Sequence, residues 1–147
     1  MALDSSRSRQ YLRRMPPIGP AATNTLDVLL HQHTQIAADS GAMIATVTIP
    51  PGDAGSGPHR HSGPVFGYVL DGEILFELEG EEPYPIKAGE AFWEPGFDVV
   101  HYQAANLRDD VESRFLVFML CAPDVPMMTY LDEEEIAARA HLRHQRV

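Results

Sequence analysis

A chain of 147 residues, 44% hydrophobic and 22% charged, has the material for one compact domain with a core and is too apolar for an unfolded ensemble. Its net charge of −10 is uneven: the two ends, 1–14 and 139–147, sum to +6, leaving 4 basic against 20 acidic residues over 15–138, a body that repels a phosphate backbone. No stretch reaches the ~18 apolar residues of a membrane helix, and the lone Cys121 excludes an internal disulfide. The expectation is a cytoplasmic protein that binds neither nucleic acid nor membrane.

In chain order, residues 1–24 open with Arg7, Arg9, Arg13 and Arg14 and are read as a partly disordered arm. Residues 25–124 then alternate short β-rich runs with turn residues, the pattern of an all-β sandwich or barrel. The expected strands are Leu26 to Ile36, Ala42 to Ile49, Val65 to Leu70, Glu73 to Glu79, Glu90 to Glu94, Val99 to Ala104 and Ser113 to Cys121. Asp71-Gly72, between two apolar runs, is the strongest hairpin signal, because a type I′ turn needs positive φ at both central residues. Residues 125–147 form an extension with one helix. There Asp132 is the N-cap, Glu135 completes a capping box, and Ile136 to His144 continue the helix.

Seven histidines raise the question of which of them converge. His59 and His61 are two apart, so on a strand both imidazoles face the same way. His31-Gln-His33 has identical spacing, but nothing near it supplies a third donor, and a polar strand face accounts for it. His141 and His144 lie three apart near the end of the helix, where its dipole or solvent accounts for them.

What distinguishes His59 and His61 is their setting. A proline- and glycine-rich loop precedes them, Gly72 comes after, and a later segment carries Gly89, Pro95, His101 and Asn106. With these residues the chain resembles the cupin family, whose two motifs read G-x5-HxH-x3,4-E-x6-G and G-x5-PxG-x2-H-x3-N. The resemblance covers Leu26 to Cys121. It implies a double-stranded β-helix, a jelly-roll-like barrel, with His59, His61 and His101 holding one divalent metal ion. Two departures stand out. The usual glutamate position is Val65, which cannot ligate a metal, and both Pro95 to His101 and His101 to Asn106 are one residue longer than the pattern.

Three imidazoles on one side of an ion leave positions for substrate or O₂, a catalytic rather than a closed structural layout. The resemblance therefore implies a metal-dependent enzyme, with Fe(II) favoured over Zn, Mn, Ni or Cu. A dioxygenase acting on a chelating enol, a diketone-like compound or an aromatic molecule is the leading reading. A metal-dependent or metal-free isomerase, cyclase or lyase of a small metabolite, or a non-catalytic metal- or metabolite-binding barrel, are the alternatives. Glu77 either enters the cavity as ligand or base, or faces water by strand alternation. Gln103, two after His101, is expected to share its face and bind substrate. Tyr68, Phe92, Trp93 and Tyr102 are candidates for the pocket wall. Glu94 and Asp98 are candidate acceptors orienting the imidazoles, and Arg60 is expected to point away from its flanking histidines. Edge strands and apolar outer faces lead to the expectation of a homodimer with Leu26 to Ile36 near the interface.

Overall fold

The structure is a computed structural model that describes residues 27–144. The expected arm over 1–24 lies outside the described residues. Contacts divide the chain after His33, and the two parts are taken separately. In the first, residues 27–33 form no regular element, and the His31 and His33 rings meet edge to face at 5.4 Å.

The second part carries β1 (Gly41–Ile49), β2 (His59–His61), β3 (Val65–Asp71), β4 (Glu73–Leu78), β5 (Tyr84–Lys87), β6 (Ala91–Glu94), β7 (His101–Asn106), β8 (Ser113–Cys121), β9 (Met128–Tyr130) and one helix, α1 (Glu133–Arg139). The strand expected over Leu26 to Ile36 is absent from residues 27–36, whereas the short β2, β5 and β9 are additional to the expected strands. Among the described residues no helix is long and apolar enough to cross a membrane.

The strands form two antiparallel sheets, ordered β1-β8-β3-β6 and β5-β4-β7-β2-β9, which face each other as a double-stranded β-helix. Val65, Val69, Phe115 and Val117 from one sheet pack on Ile74, Phe76, Leu78 and Ala104 from the other. Full burial of one such large side chain contributes about 1.5–3 kcal/mol, so this inner layer is the main source of stability.

Asp71-Gly72 does not close a hairpin. β3 pairs with β6 and β8, and β4 pairs with β5 and β7, so the turn passes the chain from one sheet to the other. Gly72 has φ 78° and Asp71 does not take a positive φ. A side chain at Gly72 would collide with Ser113, whose Oγ accepts the Glu73 N–H at 3.0 Å. That close approach, rather than a type I′ turn, requires the glycine.

The last helix starts as expected: the Asp132 carboxylate accepts the Glu135 N–H at 2.8 Å. It is shorter than expected, ending at Arg139, and the Glu135 side chain reaches Arg60 at 2.7 Å.

Candidate metal centre

β2 pairs with β7 at one position, His59 opposite His101, which sets two imidazoles on neighbouring strands with ring centroids 4.9 Å apart. His61, two residues on, turns its ring to the same side. Its Nε2 lies 3.1 Å from Nε2 of His59. The fourth member comes from β6, where Glu94 places Oε2 3.2 Å from His61 Nε2 and 3.2 Å from His101 Nδ1. All four residues are buried, and their donor atoms lie within 4.8 Å of one another.

Neighbours fix the lone pairs. A carbonyl can only accept, so His59 Nδ1–H donates to Gly57 O at 2.7 Å and its Nε2 lone pair faces inward. By the same logic His101 Nε2–H donates to Gln103 O at 2.9 Å, leaving the lone pair on Nδ1. The Phe76 ring lies 4.6 Å from that of His101 and limits its rotation. Burial, with the neighbouring imidazoles, lowers His59 to about 4, against an upward pull from Gly57 O, so the ring is neutral at physiological pH. Burial would raise the Glu94 carboxyl, but the charge and hydrogen bonds of His101 and His61 outweigh it and hold the group well below the usual carboxylate range.

These residues fit a divalent ion. His101 Nδ1 is buried and aimed at the cluster 3.2 Å from Glu94 Oε2, and a divalent ion would take the place of a proton shared between these two atoms. The donor spread is close to the ~4 Å separating ligands on opposite sides of an ion with bonds of ~2.1 Å. Three neutral imidazoles and one carboxylate are a donor set for Zn or a redox metal such as Fe, Ni or Cu.

The centre opens into a cavity of about 410 Å³. Its walls are apolar, built from Met43, Ala45, Val47 and Ile49 of β1, Phe115, Val117 and Met119 of β8, and Met127 and Met128. Thr48, Asp53 and Ser56 add polar groups, and among the described residues no lysine or arginine lines it.

Several candidates named from sequence stand elsewhere. Glu77 is neither in the cavity nor in water. It is fully buried on the outer side of β4, where Arg143 donates to its two oxygens at 2.6 and 2.8 Å. Gln103 does not share the face of His101, because the β4–β7 register shifts between Glu77 opposite Gln103 and Leu78 opposite His101. The extra residue in β7 makes a bulge, so Ala104 rather than Gln103 lines the cavity with His101. The same insertion explains why Asn106 is five residues after His101. Its amide still donates to Ile49 O, Pro50 O and Val111 O.

None of the four aromatic candidates lines the cavity. Phe92 is core: its ring occupies the space a side chain at its partner Gly67 would need. Tyr68 and Trp93 are half-buried on the outer face of their sheet, where Trp93 lies 6.4 Å from Phe66. Tyr102 packs outside with Val100, Leu131 and Ile136, under the guanidinium of Arg143. Asp98 is exposed and contacts Arg60 and Arg139 rather than a histidine. Arg60 does point away from the centre, as expected.

Glu94 thus joins the donors themselves, where sequence reasoning makes it only an orienting acceptor, and the methionine wall has no counterpart among the sequence candidates. The alternation Phe115, Val117, Met119 along β8 is the signal in the sequence for that wall.

Residues 45–119 match the family model described as Cupin domain. No curated protein matches the chain. Among solved structures, an oxalate oxidase is 25% identical with a TM-score of 0.52, covering 62% of this chain and 46% of its own. An RmlC-like cupin protein from Ralstonia eutropha JMP134 is 19% identical with a TM-score of 0.52, covering 68% and 57%. The DMSP lyase DddQ of Ruegeria pomeroyi DSS-3 is 22% identical with a TM-score of 0.51, covering 64% and 44%. The chain thus spans about half the length of these structures.

Proposed function

The chain belongs to the cupin family, and from that premise we propose that it is an enzyme that binds one divalent ion, Fe(II) by preference, through His59, His61, Glu94 and His101. Its substrate is a small, largely apolar molecule that chelates the ion through adjacent oxygens, as an enol or β-diketone does, and the reaction is oxygen-dependent cleavage. The observation that carries this reading is the apolar cavity opening directly on the donor cluster. A structural site would be closed on all sides.

When bound, the ion supplies a Lewis-acidic, redox-capable point of attachment for substrate oxygens and O₂. The chain's own residues do the rest. Glu94 balances one charge of the ion, so the affinity for an anionic enolate comes from chelation more than from uncompensated charge. Gly57 and Gln103 carbonyls hold the His59 and His101 rings in their ligating tautomers. The methionine and valine walls exclude water and fit an apolar body. They offer no cationic partner to a second carboxylate, and so favour neutral substrates over dicarboxylates.

One observation favours a second reading, proton transfer by an isomerase or lyase that uses no metal: with no ion between them, Glu94 stands within 3.2 Å of two imidazoles and can share a proton with them. Anaerobic reconstitution with Fe(II), Mn, Ni or Zn, and then addition of a β-diketone and O₂, separates the two. Oxygen uptake matched to substrate loss supports cleavage. Deuterium exchange at the substrate carbon without oxygen uptake supports the second reading, and failure to retain any ion contradicts the metal-dependent one.

A further inference from the structure

β2 carries two of the four donors but is only three residues long, and a single registered pair joins it to β7. Most of its pairing comes from β9, which sets Tyr130, Thr129 and Met128 opposite His59, Arg60 and His61. The flanks are tied the same way: Ser62 N–H donates to Met127 O at 3.1 Å and Leu131 N–H to Pro58 O at 3.0 Å. Without β9 the ligand strand would be a bare edge held by one bridge.

β9 runs through Leu131 and Asp132 directly into the C-terminal helix, so whatever holds the helix also holds the end of β9. α1 has seven residues, none fully buried, and Ile136 gives it an apolar anchor on Val100, Tyr102 and Leu131, too little by itself to fix so short a helix. Charge-assisted contacts anchor it to the outer side of the strands whose inner side carries the site. Glu135 pairs with Arg60 of β2 at 2.7 Å. Arg139 donates to Glu79 at 2.6 and 2.8 Å, just after β4. Arg143 grips Glu77 of β4 while its guanidinium sits 4.5 Å over the ring of Tyr102, the residue after ligand His101.

We infer that Met127 to Arg143 is a brace that sets the metal ligands, with Arg139 and Arg143 as positioning residues acting through β9 and the outer face of β4 and β7. The inference rests on the metal reading of the four-donor cluster. Losing either arginine frees the brace, and β2 drifts from β7, so His59 and His61 no longer meet Glu94 and His101 at one point.

The test uses the full chain: wild type, Arg139→Ala, Arg143→Ala, and Ile86→Ala as a core variant in β5, remote from the brace. Each is titrated with Co(II) while the visible bands are monitored, and hydrogen exchange is measured on the Arg60, His61 and Ser62 amides. The brace variants should bind Co(II) at least ~10-fold more weakly, with altered band intensities and faster exchange in β2 than in β8. Ile86→Ala should lower the melting temperature and leave affinity and spectrum unchanged. Should Arg143→Ala fail to fold, Arg143→Lys keeps the charge and loses the fork, and should move affinity and exchange in the same direction by less. A folded brace variant with wild-type affinity, spectrum and β2 exchange overturns the inference alone. A wild type that binds no Co(II) overturns the metal reading, and this one with it.

Discussion

Val65 and Glu94 are registered partners on adjacent strands, and the carboxylate that the first cupin motif would place on β3 stands across the ladder on β6. Directly opposed residues share a face with Cβ atoms ~5 Å apart, so a glutamate can serve the same point from either strand. Val65, left apolar, becomes part of the cavity wall.

Acid should destabilise the metal-free protein through His59. Its pKa falls on folding from 6.5 to about 4, so below pH 6.5 the unfolded chain binds a proton the folded one does not. Stability therefore drops as pH falls from 6.5 to 4, by up to roughly 3 kcal/mol, and this contribution levels off below that. The depressed Glu94 carboxyl adds a loss of the same sign at lower pH. Urea unfolding of wild type and His59→Gln at pH 7.5, 6, 5 and 4.5 checks this: the variant should show a shallower decline, and parallel declines would refute it.

Phe97 stands two residues after Pro95, where the second motif has glycine, and takes φ 57°. Its N–H donates to the carbonyl of ligand residue His61 at 2.7 Å. Phe97→Gly should relieve the left-handed strain and stabilise the protein by about 1 kcal/mol or slightly less, with metal affinity unchanged. Gly96→Ala should do the reverse, because its Cβ would meet the backbone of Gly63. Thermal unfolding of both variants decides the signs.

Substrate affinity should depend on the cavity wall and not on the aromatic residues singled out in the sequence. Val47→Phe, which fills the cavity from an edge strand, should weaken binding of a β-diketone to the metal-loaded protein by roughly 10-fold. Tyr68→Ala and Trp93→Ala, on the outer face, should leave it unchanged. Calorimetry on the three variants tests this, and a large loss in the outer-face pair would relocate the site.

The barrel and three of the donors are legible in the sequence because strand alternation and motif spacing are local. His59 and His61 need only two-residue periodicity, and His101 only its distance from Gly89 and Pro95. The features that escape a sequence reading depend on pairing between distant segments. The bulge in β7 turns Gln103 off the face of His101, and no local rule locates an inserted residue within a ladder. Glu77 reads as water-facing or cavity-lining because the outer face of its sheet looks bare, and only the returning C-terminal segment shows that Arg143 covers it. Asp71-Gly72 has hairpin chemistry but sits where the chain changes sheets. Glu94 looks like an accessory because its equivalence to Val65 exists only in the register of β3 with β6.

The most direct test of the four-donor centre is stoichiometry and affinity for a divalent ion in wild type, Glu94→Val, and Glu94→Val combined with Val65→Glu, measured by elemental analysis and competition titration. Wild type should bind one ion per chain, Glu94→Val should bind it at least ~10-fold more weakly, and the double variant, whose carboxylate returns from the facing strand, should recover. Equal affinity in wild type and Glu94→Val, or no ion bound by any of the three, would contradict the four-donor centre.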